Sequence, residues 1–177
     1  FTYNAQVETA KPAKMILGAR WQVAERVTLG LQYDRIKWRS AFRELPIMLT
    51  EGSNAELNAF LGENFITDVA PLSWRDQDTW HAGLEYLLQS GTRLRFGYED
   101  SEVPVPSVTI TPMTAATLDR AVSAGISFQL GGRNIDLAYR YTDSDRFYVG
   151  NSGLLGGEYD DTAQTLDLHT VNLSIGF

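Results

Sequence analysis

No cysteine occurs among the 177 residues, which excludes disulfide frameworks and thiolate metal sites. Basic residues are outnumbered: 15 Lys and Arg stand against 22 Asp and Glu, a formal charge of -7. With no run of Lys and Arg to neutralise phosphates, nucleic acid is excluded as a partner. Long apolar runs are missing too. None approaches the ~18 residues of a membrane helix, so any membrane role must be carried by strands closed into a barrel. Histidine is limited to His81 and His169. Lacking a His-x-x-x-His pair as well as cysteine, the chain implies no metal site and no cofactor. It opens on Phe1 without Met or an apolar leader, and is therefore read as a mature or truncated sequence.

What is present is alternation. Reading back from the end, Phe177, Ile175, Leu173 and Val171 are apolar, and Gly176, Ser174 and Asn172 separate them. A period of two with one apolar face marks a strand, and an aromatic last residue on that face is how outer-membrane barrels usually finish. Similar alternation recurs over Phe1 to Glu8, Lys14 to Val23, Val27 to Trp38, Trp74 to Leu88, Arg93 to Asp100, Ala121 to Leu130, Asn134 to Val149 and Thr165 to Phe177. About eight such segments, most of them ten or more residues long, predict an all-β fold. The expectation is an antiparallel transmembrane β-barrel segment, taken as one domain over residues 1–177. Ala24-Glu25-Arg26, Ser90-Gly91-Thr92 and Gly131-Gly132-Arg133 are tight turns, whereas the other links are long. Short periplasmic turns opposite long extracellular loops are what a bacterial outer-membrane barrel shows.

Parity divides each strand into two faces. Met15, Leu17, Leu29, Leu31, Trp80, Leu84, Phe96, Val122, Ile126, Leu137 and Tyr139 fall on one; Arg20, Gln32, Asp34, His81, Glu85, Arg93, Arg95, Glu99, Ser127, Asp136 and Arg140 fall on the other. The first set is assigned to lipid and the second to the lumen. Trp21, Tyr86, Phe128 and Phe177 close the apolar face of alternate strands and are assigned to an interfacial girdle. Outer-membrane lipid and lipopolysaccharide follow as partners. A soluble sandwich would turn the same apolar residues inward, but its strands are typically shorter and need no aromatic belt.

Two loops carry further signals. In the 39–73 link, Ser53-Asn54-Ala55-Glu56 has the form of a capping box, followed by Leu57, Phe60 and Leu61 at helical spacing and by Gly62. The apolar side of this short helix either packs on neighbouring loops as a lid or, with Phe65 and Ile66, receives an apolar ligand. Val103-Pro104-Val105-Pro106 makes the start of the next long link stiff. Glu158, Asp160 and Asp161, in the glycine-rich third, are read as solvated.

Several strings in order resemble one family. They are Val27 to Trp38 with Arg39-Ser40-Ala41-Phe42, Trp74-Arg75-Asp76 through Thr79-Trp80 to Ala82-Gly83-Leu84-Glu85-Tyr86, and Leu94-Arg95-Phe96-Gly97-Tyr98. Val103-Pro104, Asp119-Arg120, Ser123-Ala124-Gly125 and the closing strand complete the set. Together they are similar to FadL-type outer-membrane transporters of long-chain fatty acids and other hydrophobic compounds. The resemblance implies passive uptake of hydrophobic small molecules or fatty acids, through a larger barrel plugged by an amino-terminal hatch. This chain would be its carboxy-terminal portion, lacking the hatch and first strands, and its last strand would engage the barrel-assembly machinery.

A ligand with an apolar tail and a carboxylate head needs a cation in the lumen, and Arg20, Arg95 and Arg140 are the candidates. Asp34, Glu85, Glu99 and Asp136 share their face, so cross-strand pairing is the competing role. Two other functions are weighed. A small closed eight-stranded barrel would be filled by side chains and serve a structural or adhesive purpose. An outer-membrane lipid hydrolase would need a Ser beside His81 or His169, a pairing the sequence does not indicate; no catalytic residue is assigned.

Overall fold

The computed structural model describes residues 2–111, 115–154, 157 and 159–176. The strands are β1 (Asn4–Val7), β2 (Lys14–Ala24), β3 (Val27–Ile36), β4 (Glu44–Thr50), β5 (Ile66–Pro71), β6 (Gln77–Leu87), β7 (Arg93–Ser101), β8 (Arg120–Leu130), β9 (Arg133–Asp143), β10 (Phe147–Tyr148), β11 (Ala163–Gln164) and β12 (Asp167–Gly176). Two short helices, α1 (Trp38–Ala41) and α2 (Ala55–Leu61), lie in the first long link. Seven strands form an open antiparallel wall in the order β12-β9-β8-β7-β6-β3-β2. Six of the seven are 10 or 11 residues long and β7 has 9, the length that a tilted membrane strand needs.

The wall departs from the sequence expectation in its first strand. Phe1 to Glu8 contributes only the four residues of β1, which pair with β4 in a separate three-stranded sheet, β1-β4-β5. Pro12 interrupts the chain before β2, and four residues are too few to cross a bilayer. The hairpin β4/β5 is unexpected. Leu45, Ile47 and Leu49 alternate cleanly, but Pro46 stands among them, and a proline counts against a strand unless its missing N–H faces no partner. Here β1 pairs only with residues 47 to 50 of β4, so Pro46 lies beyond that ladder.

Other boundaries shift for local reasons. β9 ends at Asp143 rather than Val149, and Phe147–Tyr148 instead bridges Ala163–Gln164. The α2 helix is capped by Asn54, not Ser53: the Asn54 side chain accepts from the N–H groups of Glu56 and Leu57, both at 3.1 Å. Ser53 is used elsewhere, accepting from the Thr2 N–H at 2.7 Å. Gly62 ends the helix at φ 75°, a left-handed value that suits glycine. The β8/β9 turn places both Gly131 and Gly132 at positive φ, 59° and 77°, as a two-residue hairpin of right-handed twist requires.

The core lies outside the wall. Leu72, Trp74, Val105, Ile110 and Val149 are buried together, with Trp38, Phe42, Leu45, Val103 and Phe147 packed against them. These residues come from all three long links, which gather at one end of the wall as a cap. Trp38, Phe42 and Trp74 form an aromatic triad with centroids 5.0 to 5.2 Å apart. Backbone bonds tie the links together: Arg75 N–H to the Pro104 carbonyl at 2.8 Å and Gly153 N–H to the Val108 carbonyl at 2.6 Å. Thr109 Oγ1 adds a bond to the Leu72 carbonyl at 2.6 Å. The stiff Val103-Pro104-Val105-Pro106 stretch is thus the centre of the cap.

Candidate functional site

The two faces of the wall differ as parity requires. Leu31, Leu84 and Leu137 are 44%, 38% and 45% exposed, so they do not gather in a dry interior. Trp21, Tyr86 and Phe128 lie on this face beside the tight turns, opposite Leu29, Val27 and Ile135; Phe177 lies outside the described residues. At the loop end this face also carries charge, where Arg35 lies 3.5 Å from Asp78 and Tyr33 Oη donates to Asp78 at 2.7 Å.

The opposite face carries two chains of charge. In the first, Glu85 accepts from Arg20 Nη2 at 3.0 Å and from Arg95 Nε at 2.8 Å, and Arg95 Nη1 donates to Ser127 Oγ at 2.6 Å. Ser127 donates in turn to Asp136, whose carboxylate is 3.7 Å from Arg95. In the second, Lys14 Nζ lies 2.8 Å and His81 Nε2 3.4 Å from Asp34. His81 Nδ1 is 3.1 Å from Glu99, which accepts from Arg140 Nη2 at 2.9 Å. Alternation puts these groups on one side; register then sets opposite charges on neighbouring strands.

A row of small residues crosses the polar face. Gly30, Gly83, Gly97 and Ser123 stand opposite one another across β3, β6, β7 and β8. Arg20, opposite Gly30, reaches across β3 to Glu85 on β6. A depression of about 550 Å³ follows this row, bordered by Gln32 and His81 on one side and Thr28, Glu85 and Arg95 on the other.

Arg20, Arg95 and Arg140, the three arginines expected to face ligand, therefore share one face but not one point. Each is held by a carboxylate while remaining at least 43% exposed along its side chain. Lys14, three steps of alternation before Arg20, has the same parity and joins the second chain of charge. At the loop end, Phe60 is 85% exposed, with Leu61 and Phe65 also exposed and Leu57 and Ile66 half-buried. None of the five joins the buried core of the cap.

Neither histidine is built for hydrolysis among the described residues: His81 faces two carboxylates, and His169 Nδ1 shares a 2.7 Å bond with Tyr139 Oη. No cluster of metal-binding side chains occurs among these residues.

Residues 1–170 match the family described as outer membrane protein transport protein (OMPP1/FadL/TodX). The chain belongs to this family. It is a β-barrel protein of the bacterial outer membrane. Similar solved structures include the toluene transporter TbuX of Ralstonia pickettii, at 17% identity and TM-score 0.57, covering 80% of this chain and 31% of that one. The TodX monoaromatic hydrocarbon channel, as a deltaS2 mutant, gives 23% identity and TM-score 0.60, covering 82% and 32%. A Pseudomonas aeruginosa FadL homologue gives 22% and 0.58, covering 93% and 34%. The chain thus spans about a third of the length of these proteins. No curated protein matches it.

Proposed function

We propose that the seven-stranded wall is part of a barrel through which hydrophobic molecules, long-chain fatty acids or small hydrocarbons, are taken up passively across the outer membrane. The observation that carries this reading is the division of one sheet into a lipid-compatible face and a polar face on which Arg20, Arg95 and Arg140 are each held by a carboxylate. A wall that offers ion-paired side chains presents a passing apolar molecule with few groups that must be desolvated alone. The names of two similar structures, a toluene transporter and a monoaromatic hydrocarbon channel, favour solutes of this class.

In this reading Leu57, Phe60, Leu61, Phe65 and Ile66 form the capture surface. The long loops and cap face the medium, the tight turns face the periplasm, and the outer end of the wall meets lipopolysaccharide. Arg20, Arg95 and Arg140 line the passage, and β12 presents the terminal strand to the assembly machinery. The test is uptake of labelled oleate and toluene by cells that produce the full-length protein and lack other transporters. Uptake is expected to exceed that of empty cells, to fall several-fold with Phe60→Ser, and to fall with Arg95→Ala or Arg140→Ala. Equal uptake with and without the protein would discard the transport reading; unchanged uptake in all three variants would discard the residue assignments.

A further inference from the structure

The two ends of the wall's apolar side differ in the sign of their charge. At the loop end Asp78, Asp100, Asp143 and Asp167 stand on it against Arg35 and Arg120. At the other end each of the three tight turns carries an arginine, Arg26, Arg93 or Arg133, and the single acid of the three turns is Glu25. Arg133 has the parity of Ile135 and lies opposite Leu130, one outward pair beyond Phe128 and Ile135. Arg26 stands in its turn, past the last ladder pair of Ala24 with Val27, and its carbonyl accepts from the Leu87 N–H at 2.9 Å. Arg93 differs from both: its parity is that of the polar face, opposite Ser127. Leu130 and Leu88 continue the apolar side past the girdle and are 63% and 37% exposed.

Depth decides what this basic rim meets. Two residues of strand, about 7 Å, separate Leu130 from Phe128, and the headgroup layer on each side of a bilayer is about 5–8 Å thick. With the aromatic girdle at the inner edge of that layer, Leu130 and Arg133 fall within it. An arginine there lays its apolar stem along the protein and carries its guanidinium out to the phosphates, which it pairs through two parallel N–H donors. Each such cation adds an attraction to an anionic surface that a neutral surface does not return. We infer that Arg133 and Arg26 form a docking rim for the phosphate of anionic glycerophospholipids in the leaflet that meets the tight turns. The acid-rich loop end has the wrong sign for that headgroup, so the wall distinguishes the two leaflets by charge. The inference goes beyond the transport reading and rests on it only for the direction in which the tight turns point.

The experiment titrates the full-length protein in detergent with dioleoyl phosphatidylglycerol and, as the neutral comparison, dioleoyl phosphatidylcholine, with bound lipids counted by native mass spectrometry. The unaltered protein is expected to prefer phosphatidylglycerol. Arg133→Gln should weaken that lipid about fivefold and leave phosphatidylcholine within about twofold, and Arg26→Gln in the same chain should deepen the loss. Arg133→Lys should keep most of the preference, whereas Arg93→Gln, on the polar face, should not alter it. Circular dichroism of every variant should match that of the unaltered protein. Equal binding of the two lipids by the unaltered protein would overturn the lipid rim and leave an acidic protein as its partner. An unchanged preference in the Arg26→Gln, Arg133→Gln chain, or an equal loss in Arg93→Gln, would overturn the residue assignment. Orientation is read separately: a membrane-impermeant maleimide should not label Ser90→Cys in intact cells, and labelling there would refute the periplasmic placement of the turns whatever the lipid titration gives.

Discussion

Single residues on this wall are constrained unequally, and glycine shows it. A Cβ added at Gly97 would stand 2.5 Å from Ser123 Oγ, whereas at Gly30 and Gly83 it would meet nothing nearer than 4.0 and 3.9 Å. Gly97→Ala therefore requires the Ser123 hydroxyl to turn to another rotamer and is expected to lower the melting temperature slightly, with Ser123→Ala in the same chain removing that cost. Gly30→Ala and Gly83→Ala should be neutral or slightly stabilising, since they restrict the unfolded chain without strain. Equal melting of all three alanine variants would contradict this. Asp119 gives a second residue-level expectation. Burial lifts its carboxyl above the usual carboxylate range; Arg120 opposes the shift, and Asp145 and Asp143 reinforce it. A raised folded pKa means that the contribution to stability is present below the unfolded value of about 3.9 and is lost as pH rises through the folded value. Asp119→Asn should thus melt above the unaltered protein at pH 7, and the gap should close toward pH 3. A gap independent of pH would refute the assignment.

At the scale of elements, the strands were legible and the cap was not. Alternation in β2, β3, β6, β7, β8, β9 and β12 is local information, and the tight turns announce themselves through Gly131-Gly132 and Ser90-Gly91. Trp74 shows why the rest was hidden. Read by alternation it begins a strand, but in the structure it is buried against Trp38 and Phe42, from the opposite end of a link more than thirty residues long. No periodicity encodes such a contact. The helix α2 was visible because caps are local, and it was misplaced by one residue because Ser53 and Asn54 are both good caps; Thr2, distant in sequence, engages Ser53. Trp74→Ala should open the cap, with a loss of about 3–5 kcal/mol for a buried large aromatic. Hydrogen exchange would then rise in residues 102–111 and 144–154 and stay unchanged in the β8/β9 ladder. Protection preserved in those links would show that the triad does not hold them.

For the molecule as a whole, sequence separated the two faces but left their arithmetic undecided. Which arginine meets which carboxylate depends on register, and register depends on turn lengths and bulges such as the one between Gln22 and Ala24 in β2. Arg93 and Arg95 look interchangeable in a string of letters. On the sheet Arg95 is committed to Glu85, while among the described residues Arg93 makes no ion pair. The misplaced first strand has the same origin, since nothing local says whether Asn4–Val7 joins a wall or a loop hairpin; its partner Ile47–Thr50 decides. The open wall, with β2 and β12 at its margins, accords with a chain that spans about a third of its similar structures.

Pooling three links into one buried cluster also changes how this end of the protein can vary. Surface loops on a barrel ordinarily gain and lose residues one at a time, each without regard to the others. Here a deletion near Val105 would withdraw the support on which Trp74 and Val149 both rest. A change in the length of one would have to be matched in the others, and a graft that respects one of them must be fitted to all three.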